Sequence, residues 1–389
     1  MSYDVVIVGG AMMGSSIAWW LSRDFEGSIA VVEMDPTYEK AATTHTNSCI
    51  RQQFSSPLNI AISQFGAEFI GNFRHYMGEE APEIPIQSFG YLYLADSAGF
   101  ADVLRANHAT QAAAGAATRL LTREEIAADF PFYQLDDILL GSHNPVDEGY
   151  FDGGTIFDWF RKGAKARGVT YIQGRVTGMT RKGSRVTGVT LEDGTTLLAG
   201  AVVNCAGTRA SATAQMAGLP PLPIEPRMRF TFVFDAAEPL GQDLPLTIDP
   251  SGVHVRSDGR YYLAGCPPDE DPAVDPTHFA VPPNIWEDKV WPAIATRVPA
   301  FERVKLINEW AGHYDFNRLD QNAILGPHPE VENFYFCNGF SGHGLQQSIA
   351  VGRGLAEHLA TGAYRTLDLG PLGYERVLRN EPLRERAVI

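Results

Sequence analysis

The residues best suited to chemistry begin with a glycine-rich turn, Gly9-Gly10-Ala11-Met12-Met13-Gly14, directly after an apolar run. In a dinucleotide-binding turn, a glycine at Gly9 permits the tight turn and one at Gly14 lets the helix pack closely on the strand. Ala11 departs from the usual middle glycine; its methyl group narrows the space for a pyrophosphate without excluding it. Glu33, about 20 residues beyond the turn, would accept hydrogen bonds from a ribose diol and disfavours NADP. The pattern predicts a dinucleotide site.

Two more glycine-rich stretches follow apolar runs far along the chain, at Cys205-Ala206-Gly207 and at Gly339-Phe340-Ser341-Gly342-His343-Gly344. A helix is predicted from Leu345 to Ala360, and its positive N-terminal end would face the same sheet edge as the first turn. His343 and Gln346 are the side chains best placed there to help stabilise negative charge on a cofactor. A site assembled from such distant stretches suits a large resident cofactor, FAD rather than NAD.

A parallel sheet must position these turns. Val5–Val8 and Ile29–Val32 are continuous apolar runs, typical of strands buried on both faces, and Ser15–Leu21 between them has helical spacing, so the start of the chain predicts a βαβ unit. Further helices are predicted at 102–114, 123–129 and 155–167, antiparallel strands at 169–172, 176–179 and 186–191, and strands of a second sheet at 230–234, 252–256 and 261–264.

Composition excludes several classes of protein. The 389 residues carry a net charge of −15, which argues against binding nucleic acid or an anionic membrane surface. No apolar run is long enough for a transmembrane helix, and Ser2-Tyr3-Asp4 leads straight into a strand, so no signal peptide is expected. Four scattered cysteines and dispersed histidines predict no disulfide framework and no metal site, and we expect a cytoplasmic protein.

The chain resembles the D-amino-acid oxidase/sarcosine oxidase family of flavoproteins in Val5–Gly14, Glu33, Val203–Gly207 and Gly339–Gly344. Within that family, the order and spacing of further motifs are similar to the mitochondrial FAD-dependent oxidoreductase-domain proteins and their bacterial relatives. The resemblance implies a mixed α/β and α+β fold with a Rossmann-like, GR2-type FAD-binding domain and a second, mostly antiparallel-sheet substrate domain. The predicted FAD-binding domain is discontinuous, over 1–85, 150–220 and 312–389, and the substrate domain covers 86–149 and 221–311.

The resemblance also implies the chemistry. A hydride leaves the carbon next to the amine nitrogen of a small amino acid of the sarcosine, dimethylglycine or iminodiacetate type and goes to flavin N5. The imine hydrolyses, and O2 or another electron acceptor receives the electrons. Two alternatives remain open. One is a 2-hydroxy-acid dehydrogenase on the same scaffold, with His254 or His313 as the base; the other is a flavin-containing assembly or binding protein.

For the substrate site, the resemblance places Arg51 where monomeric sarcosine oxidase holds its substrate carboxylate, which a guanidinium can grip with two hydrogen bonds. Gln346 stands where sarcosine oxidases have a lysine, so their carboxylate clamp is not simply copied. Arg256 would supply a cation near flavin N5, where oxygen reacts, and is expected with His343 to be catalytic. Tyr314 and His254 are expected to line the substrate pocket.

For the cofactor, the resemblance leaves two modes of attachment, non-covalent binding, which we favour, and a covalent link through His45. In monomeric sarcosine oxidase the flavin is attached through a cysteine. That cysteine would fall near Gly312 in this chain, so attachment of this kind is excluded. The predicted cofactor-binding residues are Gly9, Gly10, Ala11, Gly14, Glu33, Met34, Thr43, Thr44, His45, Ser48, Cys49, Val176, Ala206, Gly207, Gly312, Gly339, Phe340, Ser341, Gly342, His343, Gly344, Leu345 and Gln346.

Overall fold

A computed structural model describes residues 1–387 of the chain. Its strands are β1 (Ser2–Val8), β2 (Ile29–Glu33), β3 (Cys49–Ile50), β4 (Tyr91–Ala95), β5 (Arg119–Leu121), β6 (Leu140–Asn144), β7 (Gly149–Tyr150), β8 (Thr170–Gln173), β9 (Val176–Lys182), β10 (Arg185–Leu191), β11 (Thr196–Asn204), β12 (Ile224–Ala236), β13 (Leu246–Ile248), β14 (His254–Asp258), β15 (Tyr261–Cys266), β16 (Val304–Asn317), β17 (Ile324–Pro327) and β18 (Phe334–Asn338). Its α-helices are α1 (Met12–Asp24), α2 (Pro57–Gly71), α3 (Phe73–Met77), α4 (Ala98–Ala113), α5 (Arg123–Asp129), α6 (Gly153–Ala166), α7 (Ala210–Met216), α8 (Trp291–Arg297), α9 (Gly344–Thr361) and α10 (Glu375–Arg379).

The first sheet is the predicted parallel sheet, ordered β17-β18-β11-β1-β2-β8, with the β9–β10 hairpin joined to β11. Its apolar strands are buried on both faces, as the continuous runs predicted. Val5 and Ile7 pack in one core with α1 and α9, while Val6 and Val8 pack in another with α7. Because β1, β2, β11 and β18 run in parallel and in register, their carboxyl ends meet at one edge of the sheet.

The second sheet is mostly antiparallel, as predicted, in the order β16-β12-β15-β14-β13-β4-β6-β5. Only the β13–β4 pair within it is parallel. A continuous core of aromatic and aliphatic side chains, including Phe230, Phe232 and Phe234, covers one face of this sheet. The long β12–β16 pair forms one edge of this sheet and contacts the turn that follows β11 of the first sheet.

One strand prediction was wrong in direction. The segment predicted as an antiparallel strand at 169–172 forms β8, which pairs in parallel with β2. The predicted domain division stays a prediction. Its boundary between 311 and 312 falls inside β16, and residues 388 and 389 of the last predicted range lie outside the described residues.

Candidate active site

The β1–α1 turn forms a cradle that fits a dinucleotide. Gly9 has φ of +101°, and a Cβ there would overlap the carbonyl of Cys205. A Cβ at Gly14 would overlap the carbonyl oxygen of Gly9, so only glycine allows α1 to approach the turn this closely. The N-cap residue of α1, Ala11, has no side chain that could cap the helix, and Ala11 and Met12 line the cavity. The N–H of Met12 donates to the Thr43 hydroxyl at 3.3 Å, and the next N–H groups of the helix, with its positive dipole end, are available to a pyrophosphate.

Glu33 lies at the carboxyl end of β2, where the prediction placed it. Its carboxylate accepts hydrogen bonds from the backbone N–H groups of Gly10 at 2.7 Å and Asp35 at 2.8 Å. Burial raises the pKa of the Glu33 carboxyl. Each carboxylate oxygen accepts one of these backbone bonds and can accept another, and Glu33 lines the same cavity as the turn, so the carboxylate fits a ribose diol beside the diphosphate position.

The cavity has a volume of about 530 Å³ and is walled by the three glycine-rich stretches together with residues of the second sheet. Of the predicted cofactor residues, most line it: Gly9, Ala11, Glu33, Met34, Thr43, His45, Ser48, Cys49, Val176, Ala206, Gly207, Gly312, Phe340, Ser341, Gly342, His343, Gly344, Leu345 and Gln346. Gly10, Gly14, Thr44 and Gly339 lie outside its wall. The Thr44 hydroxyl instead donates to the carbonyl of Tyr38 at 2.6 Å. The long, three-part wall fits FAD.

The turn before α9 depends on its glycines. Gly342 has φ of +96°, and a Cβ there would overlap the ring of Tyr314, which lines the cavity. The N–H of Gly339 donates to Asp315 at 2.7 Å, and burial raises the pKa of Asp315 to about 6. His343 is the N-cap of α9 and forms no side-chain cap bond, so the first N–H groups of this 18-residue helix face the cavity. They would stabilise negative charge on the ring system of a bound flavin.

Arg51 is a buried guanidinium without an acidic partner. It is 1% exposed, yet it lines the cavity. It donates to the Tyr93 hydroxyl and, at 2.8 Å, to Nε2 of His343, and its Nε has no partner. Its guanidinium lies 4.5 Å from the ring centre of Phe54. Among residues 1–387, no carboxylate oxygen comes within 4.0 Å of it. Burial lowers the pKa of Arg51, and an anion in the cavity would offset that desolvation.

His343 and Gln346 hold Arg51 rather than a substrate in this arrangement. Because an arginine can only donate, Nε2 of His343 is an acceptor and the imidazole is neutral. Burial and the neighbouring Arg51 lower the pKa of His343 well below its usual value. Oε1 of Gln346 accepts from the backbone N–H of Arg51 at 3.0 Å. Gln346 thus fixes the backbone of Arg51, in keeping with its difference from the lysine of sarcosine oxidases.

The structure places Arg256 outside the cavity wall, contrary to its expected position near the flavin. Its guanidinium donates to Asp258 at 2.8 Å, to the carbonyl of Ser257 at 2.7 Å and to that of Asn47 at 3.2 Å. These bonds hold the guanidinium between Asp258 and the Asn47 segment. His254, two residues earlier on β14, lines the cavity with an unpartnered Nδ1. Burial, with Arg256 and Arg229 nearby, lowers the pKa of His254 to about 4.

Several cavity residues escaped sequence reasoning. Tyr91 lines the cavity and Tyr93 binds Arg51, but a uniformly buried strand such as β4 marks neither as functional. Asn47, whose amide contacts His254 at 3.1 Å, carries no sequence signal. Arg229 also lines the cavity, and it pairs with Asp271 at 2.7 Å. His313, which the sequence offered as the base of the alternative 2-hydroxy-acid dehydrogenase, lines the cavity and packs against Phe279. Burial lowers the pKa of His313.

None of the helices between residues 1 and 387 combines the length and apolar character needed to cross a bilayer. Over the same residues, no group of three or more His, Cys, Asp or Glu side chains converges in a way that could hold a metal ion.

Comparison with known proteins gives one consistent result. A family model described as FAD dependent oxidoreductase (DAO) matches residues 4–358. The FAD-dependent oxidoreductase domain-containing protein 1 of Xenopus laevis is 38% identical over 423 residues, covering 99% of this chain and 85% of that protein. Sarcosine oxidase subunit beta of Rhizobium meliloti is 27% identical over 377 residues, covering 93% and 85%. The crystal structure of L-proline dehydrogenase from P. horikoshii superposes with a TM-score of 0.85 at 24% identity, covering 98% of this chain and 99% of that one.

Proposed function

Because this chain belongs to the DAO family of FAD-dependent oxidoreductases, we propose that it oxidises the C–N bond of a small secondary or N-substituted amino acid. The observation that carries the proposal is Arg51, a buried guanidinium that lines the cavity and has only neutral partners. A substrate carboxylate would supply the missing counter-charge, since Nε and one hydrogen on each terminal nitrogen remain free to donate. Sarcosine oxidase subunit beta, a relative, bears the name of such a substrate.

The chain's own residues would bind, orient and shield the substrate. Bound FAD supplies the acceptor for the hydride that leaves the substrate carbon. Arg51 would bind the carboxylate of the substrate, so that the carbon–nitrogen bond of the substrate lies within the cavity, between Tyr91, Tyr314 and His254. His254 and His343 have strongly lowered pKa values and stay neutral at neutral pH, so neither would protonate the amine. The α9 N-terminus would favour the reduced, more negative state of the cofactor.

An anaerobic screen of N-substituted glycines against the flavin-loaded protein tests the proposal. We expect secondary amino acids to bleach the flavin absorbance in a stopped-flow instrument, whereas 2-hydroxy acids leave it unchanged. Bleaching by hydroxy acids alone would support the alternative dehydrogenase, and a flavin that none of these compounds reduces would support an assembly or binding role. Mixing the reduced protein with air then shows whether O2 or another acceptor reoxidises it.

The limiting rate of flavin reduction is expected to rise with pH. A hydride leaves only when the amine is neutral, so the reactive fraction increases as pH approaches the pKa of the bound amine. Neither His254 nor His343 should add a second ionisation between about pH 6 and pH 9, since both lose their proton well below that range. Stopped-flow rates at saturating substrate check this expectation, and a flat profile would contradict it.

We also propose that FAD is held without a covalent bond. His45 lines the cavity, but its Nε2 already contacts the carbonyl of Glu39 at 2.8 Å, and its Cβ lies against Gly312. Acid precipitation should therefore leave the yellow colour in the supernatant. His45→Ala protein should retain bound FAD, with at most a modest loss of affinity. Colour that stays with the precipitated wild-type protein and is lost in the His45→Ala variant would establish the covalent link instead.

A further inference from the structure

The segment that carries Arg51 is held by a carboxylate at each end. It runs from β3 to the start of α2. At its first end, Glu148 accepts from the backbone N–H of Gln52 at 2.6 Å and from the side-chain amide of Gln53 at 3.0 Å. Glu148 is completely buried, and its first oxygen also accepts from the amide of Asn144 at 2.9 Å. These bonds fix the backbone immediately after Arg51.

At the other end of the segment, Glu385 binds the residues that lead into α2. Its carboxylate accepts from the backbone N–H and the hydroxyl of Ser55, both at 2.6 Å, from the backbone N–H of Ser56 at 3.2 Å and from the amide of Asn59 at 2.6 Å. Ser56 is the N-cap residue of α2, but its own side chain makes no cap bond. A carboxylate from a distant part of the sequence thus fixes the backbone of the N-cap residue and of the residue before it, at the positive end of the α2 dipole.

Both carboxylates lie near Arg51 without pairing with it. Burial lowers the pKa of Arg51, whereas the negative charges of Glu385 and Glu148 raise it. Their oxygens accept instead from backbone and amide N–H groups, so the guanidinium keeps its neutral partners. A direct ion pair with either carboxylate would neutralise Arg51 and compete with a substrate anion. The hydrogen bonds to the segment therefore keep Arg51 available.

We propose that Glu385 is a positioning residue for Arg51, and that the segment 383–387 holds Glu385 in place. The proposal rests on the function proposed above. At its start, the segment is anchored by the backbone N–H of Leu383, which donates to Asp320 at 2.9 Å. At its other end, Ala387 packs in the cluster of Tyr91 and Tyr93, the residues that face Arg51. Glu385 lies between these two anchors.

This role can be tested by titrating the FAD-loaded protein with acetate and with its neutral isostere acetamide. The change in the flavin absorbance spectrum reports the binding of each. In Glu385→Gln, the new amide group faces donors, so the Arg51 segment should shift. We expect about a tenfold weaker affinity for acetate and a raised KM, with acetamide binding, FAD content and kcat close to wild type. Glu381→Gln is the matched control, because Glu381 is an exposed residue just before this segment, and its side chain has no hydrogen bond within the described chain.

Ser55→Ala provides a second, milder variant, since it removes one donor to Glu385 and leaves the carboxylate in place. It should weaken acetate binding in the same direction by a smaller factor, and it decides the matter if Glu385→Gln does not fold. Wild-type acetate affinity in both variants, or an equal loss for acetate and acetamide, would overturn the role of Glu385. If the Arg51→Met variant binds acetate as tightly as the wild type does, that result would instead contradict the proposed function itself.

Discussion

Replacing Arg51 with methionine is expected to lower kcat/KM for an amino-acid substrate by about 100-fold or more, mainly through KM. Truncating one partner of a buried, hydrogen-bonded charge pair costs about 2–5 kcal/mol, and the substrate carboxylate would lose the cation proposed to hold it. Methionine has a similar length and is apolar, so it suits a site packed against Phe54. Flavin reduction measured over a range of substrate concentrations gives both constants.

Two further substitutions separate charge from geometry. Arg51→Lys keeps the charge but loses the planar fork, so its kcat/KM should fall between those of the wild type and Arg51→Met. Arg260→Met is the matched control, because the Arg260 side chain is 73% exposed and its partner, Asp235, lies 3.7 Å away on the surface. It should behave as wild type. An Arg51→Met protein with normal flavin content and unchanged KM would contradict the assignment of Arg51 to the carboxylate.

Gly9→Ala is expected to yield protein that binds FAD at least about 100-fold more weakly and is purified largely colourless. The substitution meets two obstacles at once. Residues with a side chain rarely adopt φ of +101°, and the new Cβ would overlap the backbone carbonyl of Cys205 on the neighbouring strand. Neither backbone can move without displacing the start of α1, which forms the expected diphosphate site. Titration of the apoprotein with FAD, followed by flavin fluorescence, measures the loss.

Gly71→Ala is the matched control for this substitution. Gly71 is the last residue of α2, and a Cβ there would meet no atom within 4 Å. It should bind FAD as wild type does and be slightly more stable, since alanine is the better helix former. Normal FAD affinity in Gly9→Ala would show that the β1–α1 turn does not hold the cofactor.

Local patterns predicted the first sheet and its cofactor edge well. The apolar runs of β1 and β2, the glycines of the turn and the acid at Glu33 are close in sequence, so short-range geometry nearly fixes their arrangement. Strand direction was less predictable. Residues 169–172 alternate as an antiparallel strand would, yet β8 pairs in parallel with β2. The alternation reports which side chains are buried, and it does not report which strand lies alongside.

Arg51 and Arg256 show most clearly where the sequence stops being informative. By itself, the sequence determined the parallel sheet and the glycine turns, because these depend on residue type and local spacing, and its resemblance to a family of flavoproteins made Arg51 the candidate for the substrate carboxylate. Only the tertiary structure decided that Arg51 meets neutral partners beside the cavity, while Arg256, which does not line the cavity, pairs with Asp258. Both side chains are about equally buried, at 1% and 2% exposed. What differs is the set of groups that long-range packing brings to each guanidinium, and that set decides whether a buried cation remains free to bind a ligand.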